Sequence, residues 1–590
     1  MTNRIFLLLS GLSIAFVVAG CGGSSGSSSS GSVSCTADVA LSKTENYGQS
    51  KSVGSFAAPS YCSSVTSYSG ITITGSAGYY YRTNGNGAVA GTNPIRHAEI
   101  RILDSSNNVI QCGETDNSGN FSLDLPNNSQ TVTIQITSRA NNSSLKAYVL
   151  DNPSDNGFHS ISTTVTLDGS KSVGSVTAPA TGTLEGGAFH ILDKLLDAND
   201  FLRTETSGCS STFSECTPFT VAPLVTAYWS PGVNPGSYVG AGPLSFYIPG
   251  DRELYLLGGE NGDIDNSDTD HFDTSIIIHE YGHFMEDVYS KTDSPGGSHN
   301  GNFILDSRLA WSEGFANFFQ AAVENNPVYR DTYGTPLGTS GVFFNENLES
   351  GTSDTPTTTG EGNFREFAVT RALWDVIDNN NDGETVNSPF SEFWTIFTSS
   401  TIGFANSNFN FRSIGLFYKQ QATLAGGANW SSVQTAQKQR NDLTDYANTL
   451  SLGGSCSNTT IQAQDISISY PENGSAVYSN QFASNDFYQY THSGGDLTIN
   501  LSYTAASSSN PADLDLYLYD SDYTFGDCTD AVASSLNRIS VGETSGSESI
   551  SLGNLAAGTY MINVNVYTKN RLGTSAAYSL TINSQAACPD

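Results

Sequence analysis

The chain has 590 residues and carries 24 Lys and Arg against 57 Asp and Glu, a formal net charge of −33. A surface this poor in cations argues against nucleic acid and anionic lipid as partners, because both are bound through basic patches. The length predicts about three to four domains.

The chain opens with Arg4 close to Met1, then an apolar run ending Val17-Val18-Ala19-Gly20-Cys21. A basic start, a short apolar stretch and small residues before a cut make residues 1–20 a secretory signal. The Val-Ala-Gly-Cys ending resembles the lipobox of bacterial lipoproteins. That resemblance implies lipidation of Cys21 as the mature N-terminus. Gly22, where an Asp would signal inner-membrane retention, implies the outer membrane or cell surface. No other stretch approaches the roughly 18 apolar residues of a membrane-spanning helix, so the lipid is the one membrane anchor expected.

Residues 21–34 are rich in Gly and Ser and read as a flexible tether, followed by a cysteine-containing segment over 35–69. Apart from Cys21 there are eight cysteines, at 35, 62, 112, 209, 216, 456, 528 and 588. An even number in an exported chain predicts disulfides. Cys209 and Cys216 are close enough to pair locally, while the remaining pairing is open. The absence of a C-x-x-C pair disfavours a cysteine zinc site.

Between residues 70 and 175 apolar and polar residues alternate. Ala98, Ile100 and Ile102 share one face, as do Phe121, Leu123 and Leu125, and then Val132, Ile134 and Ile136. Period two with one apolar face predicts half-buried strands. The segment from Pro94 to Asp104, with Thr115-Asp-Asn-Ser-Gly-Asn120 and Phe121-Ser-Leu after it, resembles the carboxypeptidase-regulatory-like β-sandwiches. That resemblance implies a non-catalytic spacer or binding module.

A mixed α+β block follows over 184–455. Ala188, Leu192, Leu195 and Leu196 predict an amphipathic helix. Two strands joined at Pro249-Gly250 are predicted within Ser245–Leu257. Glu253–Leu257 reads equally as an ordinary core strand or as an edge strand able to pair with an extended peptide.

Next comes His279-Glu280-Tyr281-Gly282-His283, an H-E-x-x-H motif in a helix-length apolar segment. Residues i and i+4 share a helix face, so both imidazoles can reach one metal ion and Glu280 can reach its water. A catalytic zinc takes three protein ligands and keeps one open position. The natural third ligand is Glu313, on a helix that Asp306 or Ser307 caps and that Phe315, Phe318 and Phe319 bury.

Together these two elements resemble the gluzincin metallopeptidases, the thermolysin-like and fungalysin-like enzymes. The resemblance implies His279, His283 and Glu313 as zinc ligands and Glu280 as the general base. Two departures stand out. The residue four after the glutamate ligand is Asn317 instead of the usual Asp; it can still orient a zinc-bound histidine, without the charge. Nor does a histidine follow Glu313 until His492, whereas the family places one on a later helix. Gly362–Asp375 resembles that helix. Arg365, Tyr329 or Tyr333 could supply the missing donor, with no basis for choosing among them.

Calcium is a candidate second ion at two acidic runs, Asp263–Asp270 and the D-x-N-x-D-G stretch of Asp378, Asn380 and Asp382. The latter has Pro389 at loop position twelve and is not an EF-hand. Plain Asx turns explain both runs equally well.

Alternation returns over 459–590, with Leu514, Leu516 and Leu518 on one face and Asp513, Asp515, Tyr517 and Tyr519 on the other. Asp513–Tyr519 and Leu555–Val564 resemble the bacterial pre-peptidase C-terminal domain, a β-sandwich that trails secreted peptidases. The expected architecture is a multi-domain chain with an α+β zincin core flanked by two all-β sandwiches. The expected function is an anchored zinc metalloendopeptidase acting on proteins or peptides outside the cytoplasm. The alternative is a cell-surface binding or adhesion protein whose zincin domain is weakly active or inactive, favoured by the missing downstream histidine. An aminopeptidase is disfavoured because no acidic pair is placed to hold a free α-amine.

Overall fold

The computed structural model describes residues 60–82, 88–292, 294, 299, 304–332, 342–357, 359–378, 385–400, 404–405, 411–440, 448–456, 458–462, 467–469, 477–479, 485–520, 531–567 and 574–589. Signal, tether and Cys21 therefore lie outside the described residues.

The alternation in the first region becomes two layers of strands, one antiparallel and one mixed. Glu99–Leu103 pairs with Val109–Glu114 and with Thr131–Thr137, which in turn pairs with Ser160–Thr166. Opposite lies a sheet built on the long strand Ile71–Arg82, whose partners are Val89–Pro94, Asn120–Leu125 and, in parallel, Lys171–Ala178. The residues expected to face inward do so: Ile100, Ile102, Ile134, Ile136 and Leu125 are fully buried. The turn before Phe121 forms because the Asp116 carboxylate accepts the backbone N–H groups of Ser118 and Asn120, each at 2.8 Å. One charged pair is also sealed inside, with the Arg139 guanidinium 2.6 Å from the Glu99 carboxylate.

This region does not close on itself. Strands Arg139–Asn141 and Lys146–Leu150 leave it to join Val225–Tyr228, Glu253–Tyr255 and Phe246–Ile248 in a five-stranded sheet. A single hydrophobic cluster accordingly runs from Ile71 through Val433, across the change in pattern near Leu184. Within that sheet the Glu253–Tyr255 strand lies between Phe246–Ile248 and Val225–Tyr228. Its backbone groups are engaged on both sides, so it is a core strand; the outer strands of the sheet are Phe246–Ile248 and Arg139–Asn141.

Seven α-helices among the described residues carry the rest of the central block. The first, α1 (Glu185–Glu205), buries Ala188, Leu192, Leu195 and Leu196 against the sheets. Then come α2 (Thr274–Tyr289) and α3 (Ser307–Glu324), followed by α4 (Glu366–Ile377). Three shorter helices complete the set: α5 (Phe390–Thr398), α6 (Ile414–Gln421) and α7 (Ser431–Ala436). Aromatic stacking welds α3 to α5 and α6, with Phe315 and Phe397 centroids 4.5 Å apart and Trp311 and Phe417 5.0 Å apart. Such buried rings contribute both area and geometric preference.

Two glycines set how closely the helices approach. A Cβ on Gly282 of α2 would meet the Ala316 backbone at 3.1 Å, and one on Gly314 of α3 would meet Val369 of α4 at 2.7 Å. Small residues at both crossings bring the functional faces of α2, α3 and α4 together.

The last region is a ten-stranded β-rich assembly around a second core of Leu497, Ile499, Leu501, Leu514, Leu516, Leu518 and their neighbours. The opposite face of Asp513–Tyr519 is covered too. Asp513 and Tyr519 are buried, and Tyr519 packs with Phe487, Met561 and Phe411 of the central block. Alternation predicts a solvated second face there; a neighbouring region covers it instead.

Disulfides join Cys62 to Cys112, Cys209 to Cys216 and Cys456 to Cys588. Cys35 and Cys528 lie outside the described residues. No helix among the described residues is long and apolar enough to cross a membrane.

Candidate metal centre

The helix α2 is buried on nearly every side, through Ile277, Ile278, Tyr281, Phe284 and Met285. Its entry is pinned by Asp273, whose carboxylate accepts the Thr332 N–H and hydroxyl at 2.9 Å each. Asp306 caps α3 as expected, accepting the Arg308 N–H at 2.9 Å. With both helices fixed at their starts, the i and i+4 positions of α2 face Glu313 on α3.

The three expected ligands converge. Nε2 of His279 and Nε2 of His283 lie 3.3 and 3.2 Å from Glu313 Oε2, and 3.2 Å from each other. Donors placed tetrahedrally at 2.0–2.1 Å from a common zinc are about 3.3–3.4 Å apart. Two imidazoles with one carboxylate suit zinc, whereas calcium and magnesium favour all-oxygen sets. The donors present therefore fit Zn2+.

The neighbouring bonds fix which nitrogens are available. The Asn317 amide donates from Nδ2 to Glu366 Oε1 at 2.8 Å, which turns its Oδ1 toward His279 Nδ1, also at 2.8 Å. An amide oxygen only accepts, so Nδ1 carries the proton and Nε2 presents its lone pair to the centre. The negative charge absent from Asn317 is thus supplied one bond further out, by Glu366 at the start of α4. On His283, Nδ1 lies 3.3 Å from Ser312 Oγ, and Ser312 donates to Glu286 at 2.7 Å. This again leaves Nε2 facing inward.

A histidine that the motif did not reveal stands here too. His299 Nδ1 lies 2.9 Å from Glu366 Oε2, and its Nε2 is 3.4 Å from Glu313 Oε2. The gluzincin pattern has its histidine after the glutamate ligand, but this one precedes Glu313, in a Gly- and Ser-rich stretch with no periodicity. The available hint was scarcity, since the chain has eight histidines in all.

The electrostatics follow from this packing. Burial alone would raise Glu313, yet His299 and His283 beside it hold its carboxyl well below the usual range. Burial pulls His283 down, but the charge of Glu313 outweighs it and leaves the imidazole pushed up to about 9. Metal ligation must displace such protons, so a cation competes with them for this place. Burial raises Glu280, against the opposing pull of His279 and His283. A carboxylate raised in this way is suited to pick up and return a proton.

Of the stand-in donors, Arg365 is turned elsewhere: its guanidinium pairs with Glu361 and, at 2.9 Å, with Asp354. Tyr329 is at the site, its ring edge-on to His279 with centroids 6.0 Å apart. Tyr333 lies outside the described residues, as do Asn380 and Asp382; Asp378 is buried at the end of α4. In the other acidic run Asp263 caps its own turn, accepting the N–H groups of Asp265 and Asn266 at 2.9 Å each.

Comparison with known proteins bears on this block. The family described as the Mycolysin C-terminal domain matches residues 206–464, under half of the chain but including His279, Glu280, His283 and Glu313. That places the stretch in a peptidase-associated context. An uncharacterized protein of Archaeoglobus fulgidus is 32% identical over 112 residues, covering 18% of this chain and 27% of that protein. The chain thus spans about a quarter of the relative it matches. Among solved structures, the carbohydrate-binding module CBM36 in complex with calcium and xylotriose is 12% identical. It covers 23% of this chain and 93% of that one, with a TM-score of 0.14. Dimeric latent PorU from Porphyromonas gingivalis is 16% identical, covering 25% of this chain and 13% of that one at a TM-score of 0.13. Neither structural likeness is close enough to inform the site.

Proposed function

We propose that this protein is an exported zinc metalloendopeptidase with a zincin-type central block, held at the cell surface by a lipid on Cys21. The observation that carries the reading is the convergence of His279, His283 and Glu313 beside the buried Glu280. The peptidase-associated family match over 206–464 supports it, as do the disulfides, which fit an oxidising compartment.

His279, His283 and Glu313 would hold the zinc, which when bound polarises a carbonyl and acidifies a water. Glu280 takes the proton from the attacking water as its oxygen bonds to the scissile carbonyl carbon. The same carboxyl then gives that proton to the nitrogen as the C–N bond breaks, releasing an amine and a carboxylate. Asn317 and Glu366 keep His279 in the required tautomer. His299 and Tyr329 border the site and are the groups available to donate to the oxyanion. The reading as an inactive binding protein rests on the lack of a histidine after Glu313; His299 at the border of the site speaks against it. The flanking β-rich regions serve as spacers or substrate-binding modules.

The test is Glu280→Gln. Casein hydrolysis should vanish while bound zinc stays near one per chain. Hydrolysis at the wild-type rate in this variant would overturn the mechanism.

A further inference from the structure

A second acidic cluster lies behind the entry to α2. Asp268 and Asp270 come from the segment leading into that helix, and Asp331 comes from the strand Val328–Thr332. One carboxylate oxygen from each lies within 4.8 Å of the other two. Asp270 is 3% exposed; its Oδ2 accepts the Ser245 hydroxyl, while its Oδ1 has no hydrogen-bond partner among the described residues. The Oδ1 atoms of the half-buried Asp268 and Asp331 are also out of solvent and reached by no N–H or hydroxyl donor, and these two carboxyls lie within hydrogen-bonding reach of each other. None of the ion pairs among the described residues includes any of the three.

Burying even one uncompensated carboxylate costs about as much as the whole stability margin of a domain. Three facing one another need either protons or a cation. A proton shared between two carboxyls answers one pair and leaves the third oxygen unsatisfied. One cation answers all three. An all-carboxylate set selects a hard ion, and calcium tolerates irregular oxygen cages that magnesium does not.

We propose that Asp268, Asp270 and Asp331 bind a calcium ion that fastens the entry of α2 to the Val328–Thr332 strand. The site shares no residue with the His279, His283 and Glu313 centre, so it stands whether or not that centre is catalytic. Its effect would reach that centre through structure. The same strand carries Tyr329, edge-on to His279, and Thr332, bonded to Asp273 at the helix start. An ion here would hold both in register.

The test uses the full chain, stripped with EDTA, refilled with zinc alone and titrated with CaCl2 by calorimetry and thermal unfolding. One calcium should bind and raise the unfolding midpoint of the central block by several degrees. Asp270→Asn and Asp331→Asn keep the shape of a neutral carboxyl, so the fold should persist. Each should bind calcium roughly ten-fold or more weaker and lose the rise in midpoint, with zinc content unchanged. Asp378→Asn should behave as wild type. Zinc-loaded wild type that binds no calcium would show that protons neutralise the cluster and would overturn the proposal. So would calcium binding that survives in both cluster variants or is lost in Asp378→Asn.

Discussion

In the C-terminal assembly, Leu514, Leu516 and Leu518 point into an apolar core, and burial there follows the period of the strand. In α2 and α3 the buried side chains include His279, Glu280, Glu286, Glu313 and Asn317, at or near the contact between two helices. The first region is held mainly by removing hydrocarbon from water, a non-directional gain that tolerates change of shape. The second places groups that water would otherwise solvate into a chain of directed bonds, where each depends on the next. One region should therefore lose stability when altered, and the other should lose metal and chemistry.

The largest separation between the two should come from Glu313→Gln. Bound zinc should fall from near one per chain toward zero and peptide hydrolysis by roughly a thousand-fold or more, while the C-terminal assembly unfolds at its usual temperature. Retention of full zinc would show that Glu313 is not a ligand. The converse change is Leu516→Ala, which should destabilise the C-terminal assembly by about 2–5 kcal/mol and leave zinc content unaltered. A fall in zinc occupancy in that variant would show the two regions to be coupled.

A smaller effect tests the directed bonds themselves. Glu366→Gln keeps the shape but removes the charge behind Asn317, and should weaken zinc affinity or turnover by roughly 10–100-fold. Values equal to wild type would make Glu366 a packing residue only.

The smallest effect concerns pH. Burial pushes Asp486 up to about 6, against the hydrogen bond donated by the Tyr578 hydroxyl at 2.6 Å. A carboxyl raised by folding stabilises the folded state when protonated. Its contribution is complete below the unfolded value near 4 and is lost as pH rises through about 6. Between pH 7 and pH 4 it should add roughly 2 kcal/mol at most to the C-terminal assembly, and Asp486→Asn should abolish that difference. Over the same interval the metal centre should bind zinc less tightly, because protons compete for its histidines. Calorimetric unfolding beside zinc titration at the two pH values would read both trends, and trends of the same sign would break the contrast.

The strands and helices were legible wherever one periodicity governed burial. Ile100 and Ile102, or Leu192 and Leu195, declare their inward face by spacing alone. The convergence of His279, His283 and Glu313 was legible because helix geometry ties i to i+4 and a capped apolar helix follows. His299 was not, since it sits in an aperiodic segment and reaches the site only through tertiary packing. Glu366 reads along the chain as an ordinary first-turn acid; its role comes from the closeness that Gly314 permits between α3 and α4. The covered second face of Asp513–Tyr519 was hidden for a similar reason, because the covering residue Phe411 belongs to another region. Pairing of strand Lys146–Leu150 with Val225–Tyr228 crosses a change in pattern that looks like a boundary, and no local signal records it.

The bond between Cys456 and Cys588 spans 132 residues and so encloses almost all of the C-terminal assembly in one covalent ring. A single backbone cut anywhere inside that ring leaves both fragments joined. The ring turns most nicks inside it into silent events: a chain cut there would migrate as two pieces only after reduction. Shedding the assembly in one step requires cleavage before Cys456, in the stretch that links it to the helices.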